Sequence, residues 1–233
     1  MTLAARDTAL RELMDDPACD PVRLDATLRR FDLVNRLVSG WGTVYRTRLR
    51  SYLRGLERPA RVLDLGCGGG DLVRRLAAAT ARDGLSVTVV GADPDPRAHR
   101  VATSTPAPPN AAFVCADAAA LVARGERFDA VVSNHVLHHL DDALPAVMAA
   151  SAELARGPVL HGDIARGRLA YGLYAVGITP LAPGTFLRTD GLRSIRRSFT
   201  PAELRAALAA APGRWTVSTP APFRVLAEGS GRA

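Results

Sequence analysis

One short segment constrains the fold of this 233-residue chain more than any other. Residues 61–65 read as a buried strand, a run of glycines follows from Gly66 to Gly70, and a helix-forming stretch begins at Asp71. A strand that passes through a glycine turn into a helix brings backbone amides within reach of a ligand. A dinucleotide fingerprint needs G-x-G-x-x-G, but the sixth residue counted from Gly66 is Asp71, which weakens an NAD interpretation. The segment therefore predicts a ligand site at the first turn of an α/β fold.

After Pro59 the chain alternates short β-branched runs with alanine-rich helical stretches, a pattern typical of βαβ units around a parallel sheet. The predicted strands are residues 61–65, 86–92, 112–115, 128–133 and 158–162, and the predicted helices are residues 71–82, 96–102, 118–123 and 142–155. Asp142 is expected to cap the last of these helices. Thr200 and Glu203 form a capping box for a further helix to about Ala210. Residues 214–218 and 223–227 predict a closing antiparallel pair.

Before Pro59 the apolar spacing is helical from Thr2 to about Glu57. We therefore divide the chain into an N-terminal helical region, residues 1–58, expected to cover the substrate, and an α/β core, residues 59–233. A second cover segment, about 164–198, is expected to be inserted in that core.

Three acidic residues follow three successive predicted strands, namely Asp64, Asp93 and Asp117. The carboxyl ends of strands in an open α/β sheet face one crevice, where ligands bind. An acid before the glycines suits a cationic amine better than a pyrophosphate, and an acid after the second strand can accept both hydroxyls of a ribose. The order of these residues predicts a nucleoside-containing ligand.

These segments, with the run from Phe128 to Asn134, resemble the class I S-adenosylmethionine-dependent methyltransferases, and the small-molecule enzymes of bacterial quinone and polyketide metabolism in particular. The resemblance covers roughly residues 59–227. It implies a Rossmann-like, seven-stranded, mostly parallel sheet with an antiparallel C-terminal strand. It also implies that the glycines contact the methionine part of S-adenosylmethionine, Asp93 its ribose and Asp117 its adenine. The predicted cofactor-binding residues are Asp64, Gly66, Cys67, Gly68, Gly70, Asp93, Pro94, Ala116, Asp117, Ala118 and Asn134.

Three histidines follow the fourth predicted strand, at His135, His138 and His139. In the family that the chain resembles, this segment lies beside the reactive methyl. His135 and His138 are the catalytic candidates, because imidazole titrates near neutrality and can act as a general base. For His135 the roles of base and of pocket wall both stay open. No glutamate lies between His135 and His139 as in zinc proteases, so we predict no metal site.

An uncharged segment from Leu169 to Leu187 is interrupted by prolines and glycines, which argues against a membrane span and favours a substrate cover. A core or dimer surface is the alternative. The predicted substrate-contacting residues are Trp41, Tyr45, Tyr171, Tyr174 and Arg197. Arg193, Arg196 and Arg197 are consistent with an acidic or phenolate substrate, since guanidinium pairs well with oxyanions. Solvated surface charges are the alternative.

The net charge is +7, every positively charged residue counted in it is an arginine, and the chain has no lysine. Only 5% of residues are aromatic. Because the arginines are scattered and few rings are available for base stacking, we expect no nucleic-acid partner. The N-terminus lacks the order of a signal peptide, and no apolar run suits stable membrane insertion. We therefore expect a cytoplasmic enzyme, monomeric or homodimeric.

The sequence predicts methyl transfer to a hydroxyl of a small lipophilic, aromatic or quinone-like metabolite. Three alternatives stay open. They are C-methylation of a similar acceptor, methylation of RNA or protein, and a non-catalytic cofactor-binding module that regulates a partner.

Overall fold

The computed structural model describes residues 3–231; the outermost ends of both predicted regions, residues 1–2 and 232–233, lie outside that range. The strands are β1 Ala60–Leu65, β2 Val87–Asp93, β3 Ala111–Cys115, β4 Ala130–Asn134, β5 Pro158–Ile164, β6 Thr216–Ser218 and β7 Arg224–Ser230. They form one sheet in the order β3-β2-β1-β4-β5-β7-β6. Strands β1 to β5 are parallel, and β7 is antiparallel to both β5 and β6. The expected seven-stranded α/β fold is confirmed.

Helices cover both faces of this sheet, which is why its central strands are apolar along most of their length. Every residue of β1 except Arg61 is buried, for example. The helices are α1 Pro21–Val38, α2 Trp41–Val44, α3 Arg50–Arg54, α4 Asp71–Arg82, α5 Pro96–Ser104, α6 Ala118–Ala123, α7 Leu144–Leu154, α8 Arg168–Gly177, α9 Leu187–Arg197 and α10 Pro201–Ala209, and a π-helical turn, Tyr45–Leu49, joins α2 to α3. Short 3-10 turns lie at Leu137–His139, Asp141–Ala143 and Thr179–Leu181. Within the described residues, no helix is long and apolar enough to cross a membrane.

The N-terminal region departs from its predicted helical form, because residues 3–20 run as turns and bends up to the start of α1. Contacts with distant residues hold this segment instead of helical hydrogen bonds. The carboxylate of Asp190 accepts from the backbone N–H groups of Leu13 and Met14 at 2.8 and 3.0 Å. Arg6 pairs with Asp141 at 2.9 Å. Tertiary contacts thus override a local helical pattern.

One of the two predicted helix caps is present in the structure, at α10, and the other, at α7, is not. The capping box of Thr200 and Glu203 is present at α10, as predicted. Helix α7 starts two residues later than expected, and Ala143, with no capping side chain, replaces Asp142 as its N-cap residue. The prediction for Asp142 is therefore wrong, because Asp142 lies within the 3-10 turn that precedes the helix.

Candidate active site

A cavity of about 960 Å³ opens at the carboxyl ends of the parallel strands. Most of the predicted site residues line it, although they come from the ends of four different strands and from the cover. Those that line it are Asp64, Gly66, Cys67, Gly68, Asp93, Pro94, Ala116, Asp117, Ala118, Asn134, His135, His138 and Tyr174. This is the crevice in which open α/β sheets bind ligands.

The glycine loop, residues 66–70, forms one edge of the cavity between β1 and α4. Gly66 has φ +68°, and a Cβ atom there would lie 2.6 Å from Val136 Cγ2, so only glycine fits. The carboxylate of Asp93 fixes the loop, because Oδ2 accepts from the Gly68 N–H at 2.8 Å and Oδ1 from the Asp95 N–H at 2.9 Å. Burial raises the pKa of Asp93 above its usual value. Each carboxylate oxygen keeps a lone pair that a pair of ligand hydroxyls can use.

Asp64 lies beneath the glycine loop with its side chain fully buried, and its Oδ1 has no hydrogen-bond partner among the described residues. Burial first, and then the neighbouring Asp71 and Asp93 carboxylates, raise the pKa of Asp64. A buried, unpaired carboxyl oxygen is costly unless a donor reaches it. This half of the cavity therefore offers a buried carboxyl group, backbone amides and a second carboxylate. Together these groups fit a ligand with a cationic amine and a diol.

Of two further predicted residues, Asp117 lines this half of the cavity and Gly70 does not. Asp117 caps α6, with Oδ1 accepting from the Ala120 N–H at 2.7 Å, and stands at the cavity edge. Gly70 does not line the cavity, contrary to prediction, because its α-carbon faces the Phe113 ring behind the loop. Its positive φ begins helix α4 instead.

His138 lies between two carboxylates. Its Nδ1 is 2.9 Å from both oxygens of Asp163, and its Nε2 is 3.2 Å from Glu12 Oε1. Both ring nitrogens must donate to ionised carboxylates, so the ring is an imidazolium. Asp163 and Glu12 outweigh the opposing effect of burial and raise the pKa of His138 to about 10. A histidine held in this way has no free lone pair with which to accept a proton.

His135 is neutral, for an opposite reason. Arg224 NH1 lies 3.1 Å from His135 Nε2, and because a guanidinium only donates, Nε2 must accept. Burial, and next the Arg224 charge, hold the pKa of His135 well below its usual value. Its backbone has φ 61°, a conformation uncommon outside glycine and often found at functional sites.

Glu12, His138 and His139 each offer one ligand atom within 4.8 Å of the others. A metal ion there would have to displace the proton that His138 Nε2 donates to Glu12. The absence of a metal site stays a prediction.

Four predicted substrate residues lie elsewhere. Trp41 and Tyr45 are buried in the core under the sheet, away from the cavity lining. Tyr171 lies on α8 outside the lining. Arg197 is 2% exposed and pairs with Asp141 at 3.4 Å. The predictions for Trp41, Tyr45 and Arg197 are corrected, because aromatic and arginine side chains serve a core or an internal ion pair as readily as a pocket. The role of Tyr171 stays a prediction.

The position of Tyr45 in the core allows a test of its structural role. Its hydroxyl donates to Asp83 Oδ2 at 2.7 Å, so Tyr45→Phe removes one hydrogen bond and no cavity wall. We expect a loss of about 1 kcal/mol in the free energy of unfolding, measured in urea. The KM for an acceptor should stay unchanged, and a several-fold rise in that KM would return Tyr45 to the substrate site.

Sequence reasoning missed Glu12, Asp163, Asp190 and Arg224 as cavity or near-cavity residues. Glu12 and His138 are 126 residues apart, and Arg224 and His135 are 89 apart. Two sequence signals were available: Asp163 directly follows the predicted strand 158–162, and Arg224 lies within the strand-like run 223–227. A buried strand rarely carries a charge without a partner.

Comparison with known proteins agrees with this arrangement. Residues 62–157 match the family model described as a methyltransferase domain. A curated ubiquinone biosynthesis O-methyltransferase of Brucella anthropi is 32% identical over 153 residues, which make up 64% of this chain and 58% of the relative. Its counterpart in Dinoroseobacter shibae is 31% identical over 166 residues, covering 66% of this chain and 61% of the relative. The chain thus spans less than two thirds of the length of these relatives.

Solved structures share the fold at low sequence identity. The plantazolicin methyltransferase BpumL, solved with S-adenosylhomocysteine, has a TM-score of 0.61 at 14% identity and covers 94% of this chain and 93% of its own. The CurJ carbon methyltransferase has a TM-score of 0.63 at 15% identity, covering 92% and 61%. The domain match shows a methyltransferase domain over residues 62–157. The structural likenesses and the strand order show that the chain has the fold of these methyltransferases.

Proposed function

We propose that this protein transfers a methyl group from S-adenosylmethionine to a hydroxyl of a small, lipophilic, aromatic or quinone-like acceptor. The observation that carries the proposal is the continuity of one cavity, which joins the glycine loop and its acids to an apolar chamber. We define the apolar chamber by its lining residues Phe31, Val34, Leu37, Leu173, Tyr174, Ile178, Leu181 and Leu187.

The cofactor half is assigned to residues of β1, β2 and β3. Asp64 would hold the cationic amine, the Gly66 to Gly68 amide edge the methionine chain, Asp93 the ribose hydroxyls and Asp117 with Ala118 the adenine edge. When bound, S-adenosylmethionine supplies an electrophilic methyl group on a sulfonium. The proposal is supported by the unpartnered Asp64 oxygen and by the remaining acceptor capacity of Asp93.

The acceptor half is assigned to the apolar chamber, whose walls come from α1, α8 and α9. Tyr174 is fixed there, because its hydroxyl donates to the Leu187 carbonyl at 2.8 Å and its ring faces inward. Apolar walls with few polar groups favour a lipophilic ligand. The relatives in Brucella anthropi and Dinoroseobacter shibae, named as ubiquinone biosynthesis O-methyltransferases, support oxygen as the methylated atom. A cytoplasmic location, a monomeric or dimeric state and the lack of a nucleic-acid partner stay predictions.

Catalysis in this proposal rests on alignment rather than on a histidine base. His138 carries protons on both nitrogens, and the lone pair of His135 Nε2 is taken by Arg224. The contribution of these residues is to hold an acceptor oxygen in line with the methyl group, which can supply much of a rate enhancement. The hydroxyl proton would leave to solvent.

His135→Asn separates alignment from base catalysis. Asparagine tolerates a positive φ and still offers an oxygen to Arg224, but it cannot accept a proton at neutral pH. We expect turnover to fall less than about tenfold, measured with saturating acceptor, whereas loss of a general base costs about 10²- to 10⁴-fold. A loss in that larger range would make His135 the base.

The proposed function is tested by incubating the purified protein with methyl-labelled S-adenosylmethionine and a whole-cell extract of the host, which is then fractionated into organic-soluble material, RNA and protein. We expect label in the organic-soluble fraction, and mass spectrometry of the product then distinguishes O-methylation from C-methylation. A matched reaction uses Asp93→Ala protein, which should transfer no label at the same cofactor concentration. Label confined to RNA or protein would contradict the proposal.

A further inference from the structure

Arg224 is a buried cation that forms no ion pair with any of residues 3–231. Its residue is 3% exposed, lines the cavity, and begins strand β7. NH2 donates to Asn134 Oδ1 at 2.6 Å and NH1 to His135 Nε2 at 3.1 Å, both neutral acceptors. Nε has no hydrogen-bond partner, and no carboxylate oxygen lies within ion-pair distance of the guanidinium, among residues 3–231.

Such a group is expensive to bury, because an unpaired charge loses its hydration without a compensating interaction. Burial lowers the pKa of Arg224 to about 10, so the guanidinium is still charged at neutral pH. The nearby Asp163 raises that pKa, but its oxygens are already bonded to His138 and to the Ile164 N–H. The cavity thus holds a positive charge whose hydrogen-bonding capacity is incompletely used.

The position of Arg224 separates it from the cofactor half. Arg224 pairs in register with Ile164 on β5, on the opposite side of β4 from Asp64, Asp93 and Asp117. It lies across the cavity from the acids that suit an amine, a ribose and an adenine. Both Phe223, just before it, and its partner His135 have positive φ, at 59° and 61°. Strained backbone at two contacting segments is a frequent property of ligand-binding residues.

The arginines that the sequence suggested for an acidic substrate are otherwise engaged. Arg193 donates to the Arg11 carbonyl at 2.7 Å, Arg196 pairs with Asp7, and Arg197 with Asp141. Arg166, the other buried arginine near the cover, is bonded to Glu203. Of these five arginines, Arg224 is the one that lines the cavity, and its Nε has no hydrogen-bond partner among the described residues.

We infer that the acceptor carries an anionic oxygen, a carboxylate or a phenolate, and that Arg224 is the residue that binds it. The inference rests on the proposed function and adds to it the charge of the substrate. Guanidinium matches an oxyanion in geometry, and a charge-assisted hydrogen bond is stronger than a neutral one. An anion there also places a negative charge beside Asn134 and His135, where the acceptor oxygen would meet the methyl group. Arg224 is therefore a specificity residue.

The test compares anionic and neutral probes of the same shape on protein saturated with S-adenosylhomocysteine. Calorimetry measures the binding of 2-naphthoate against 2-naphthamide, and of 4-nitrophenolate against 4-nitroanisole. We expect at least one anion to bind at least about tenfold more tightly than its neutral partner. The naphthoate pair reports a carboxylate site and the nitrophenol pair a phenolate site. In Arg224→Gln the preference should disappear, and Arg224→Lys should keep part of it.

Arg214→Gln is the matched control, since it removes the same charge from an exposed loop and should leave the preference intact. Equal binding of each anion and its neutral partner, failure of all four probes to bind, or a preference that survives Arg224→Gln would overturn the inference. A loss of S-adenosylhomocysteine affinity in Arg224→Gln would overturn it too, because Arg224 would then serve the cofactor's carboxylate. If the wild-type protein binds S-adenosylhomocysteine and methylates neutral lipids, only this inference fails; if it does not bind S-adenosylhomocysteine, the proposed function fails with it.

Discussion

Replacing Asp93 with alanine should weaken the binding of S-adenosylhomocysteine by about 10²- to 10⁴-fold. The Asp93 carboxylate would accept both ribose hydroxyls, and each charge-assisted hydrogen bond contributes about 1.5 to 3 kcal/mol. The same carboxylate also holds the Gly68 and Asp95 amides at 2.8 and 2.9 Å, so its loss loosens the glycine loop as well. Isothermal titration calorimetry measures the affinity directly.

Two variants show whether the effect is local. Asp93→Asn keeps an acceptor oxygen without the charge and should lose less affinity than Asp93→Ala. Glu57→Ala removes one negative charge from an exposed site at the other end of β1 and should leave the affinity unchanged. An Asp93→Ala protein that binds as tightly as the wild type would remove Asp93 from the ribose site.

Replacing Asp163 with alanine should cost about 3 to 5 kcal/mol in the free energy of unfolding, because it leaves the buried His138 imidazolium without its closest counter-charge. The Asp163 side chain is 2% exposed, and its oxygens bond both the Nδ1 and the backbone N–H of His138 at 2.9 Å. We expect cofactor-independent destabilisation in urea denaturation, together with loss of turnover, since His138 lies in the cavity wall.

The stability difference between the wild type and Asp163→Ala should depend on pH in a direction that follows from the two pKa shifts. The pKa of His138 rises from 6.5 to about 10 on folding, so its stabilising contribution is complete below about pH 6.5 and is lost as the pH rises toward 10. The pKa of Asp163 is lowered by His138 from 3.8, so its contribution is present above about pH 4 and is lost as the pH falls further. The gap between the wild type and Asp163→Ala should therefore be widest between about pH 4 and 6.5.

A double-mutant cycle with His138→Gln identifies the pair. The Asp163→Ala change should cost less in the His138→Gln background, with an interaction energy of about 0.5 to 3 kcal/mol. Strict additivity, or a gap that does not change between pH 5 and 9, would mean that the two side chains are not coupled.

The parts of the fold that sequence predicted well are those fixed by local pattern. Helix α4 spans Asp71–Arg82 as expected, because a helix-forming stretch directly follows the glycine loop. The capping box of Thr200 and Glu203 marks the start of α10 in the sequence itself. The three acids converge because parallel strands end at one edge, so Asp64, Asp93 and Asp117 needed only their strand ends to be recognised.

The parts that sequence did not predict depend on contacts between distant segments. The pairing of Glu12 with His138 joins a turn-rich N-terminal segment to the loop after β4, and the helical spacing of the N-terminal sequence gives no indication of this contact. Trp41 and Tyr45 looked like pocket walls because aromatic side chains suit cores and pockets equally; only the path of α2 along the sheet decides between the two. Arg224 lay in a run that predicts a strand, but a strand prediction does not identify the residues that its side chains will contact.

A crystal structure of this protein with S-adenosylhomocysteine tests the central claim most directly. The account predicts the ribose hydroxyls within hydrogen-bond distance of the Asp93 carboxylate, the amino group at Asp64, and the sulfur facing the apolar chamber toward His135 and Arg224. A complex with the ribose away from Asp93, or with the apolar chamber closed off from the sulfur, would contradict it.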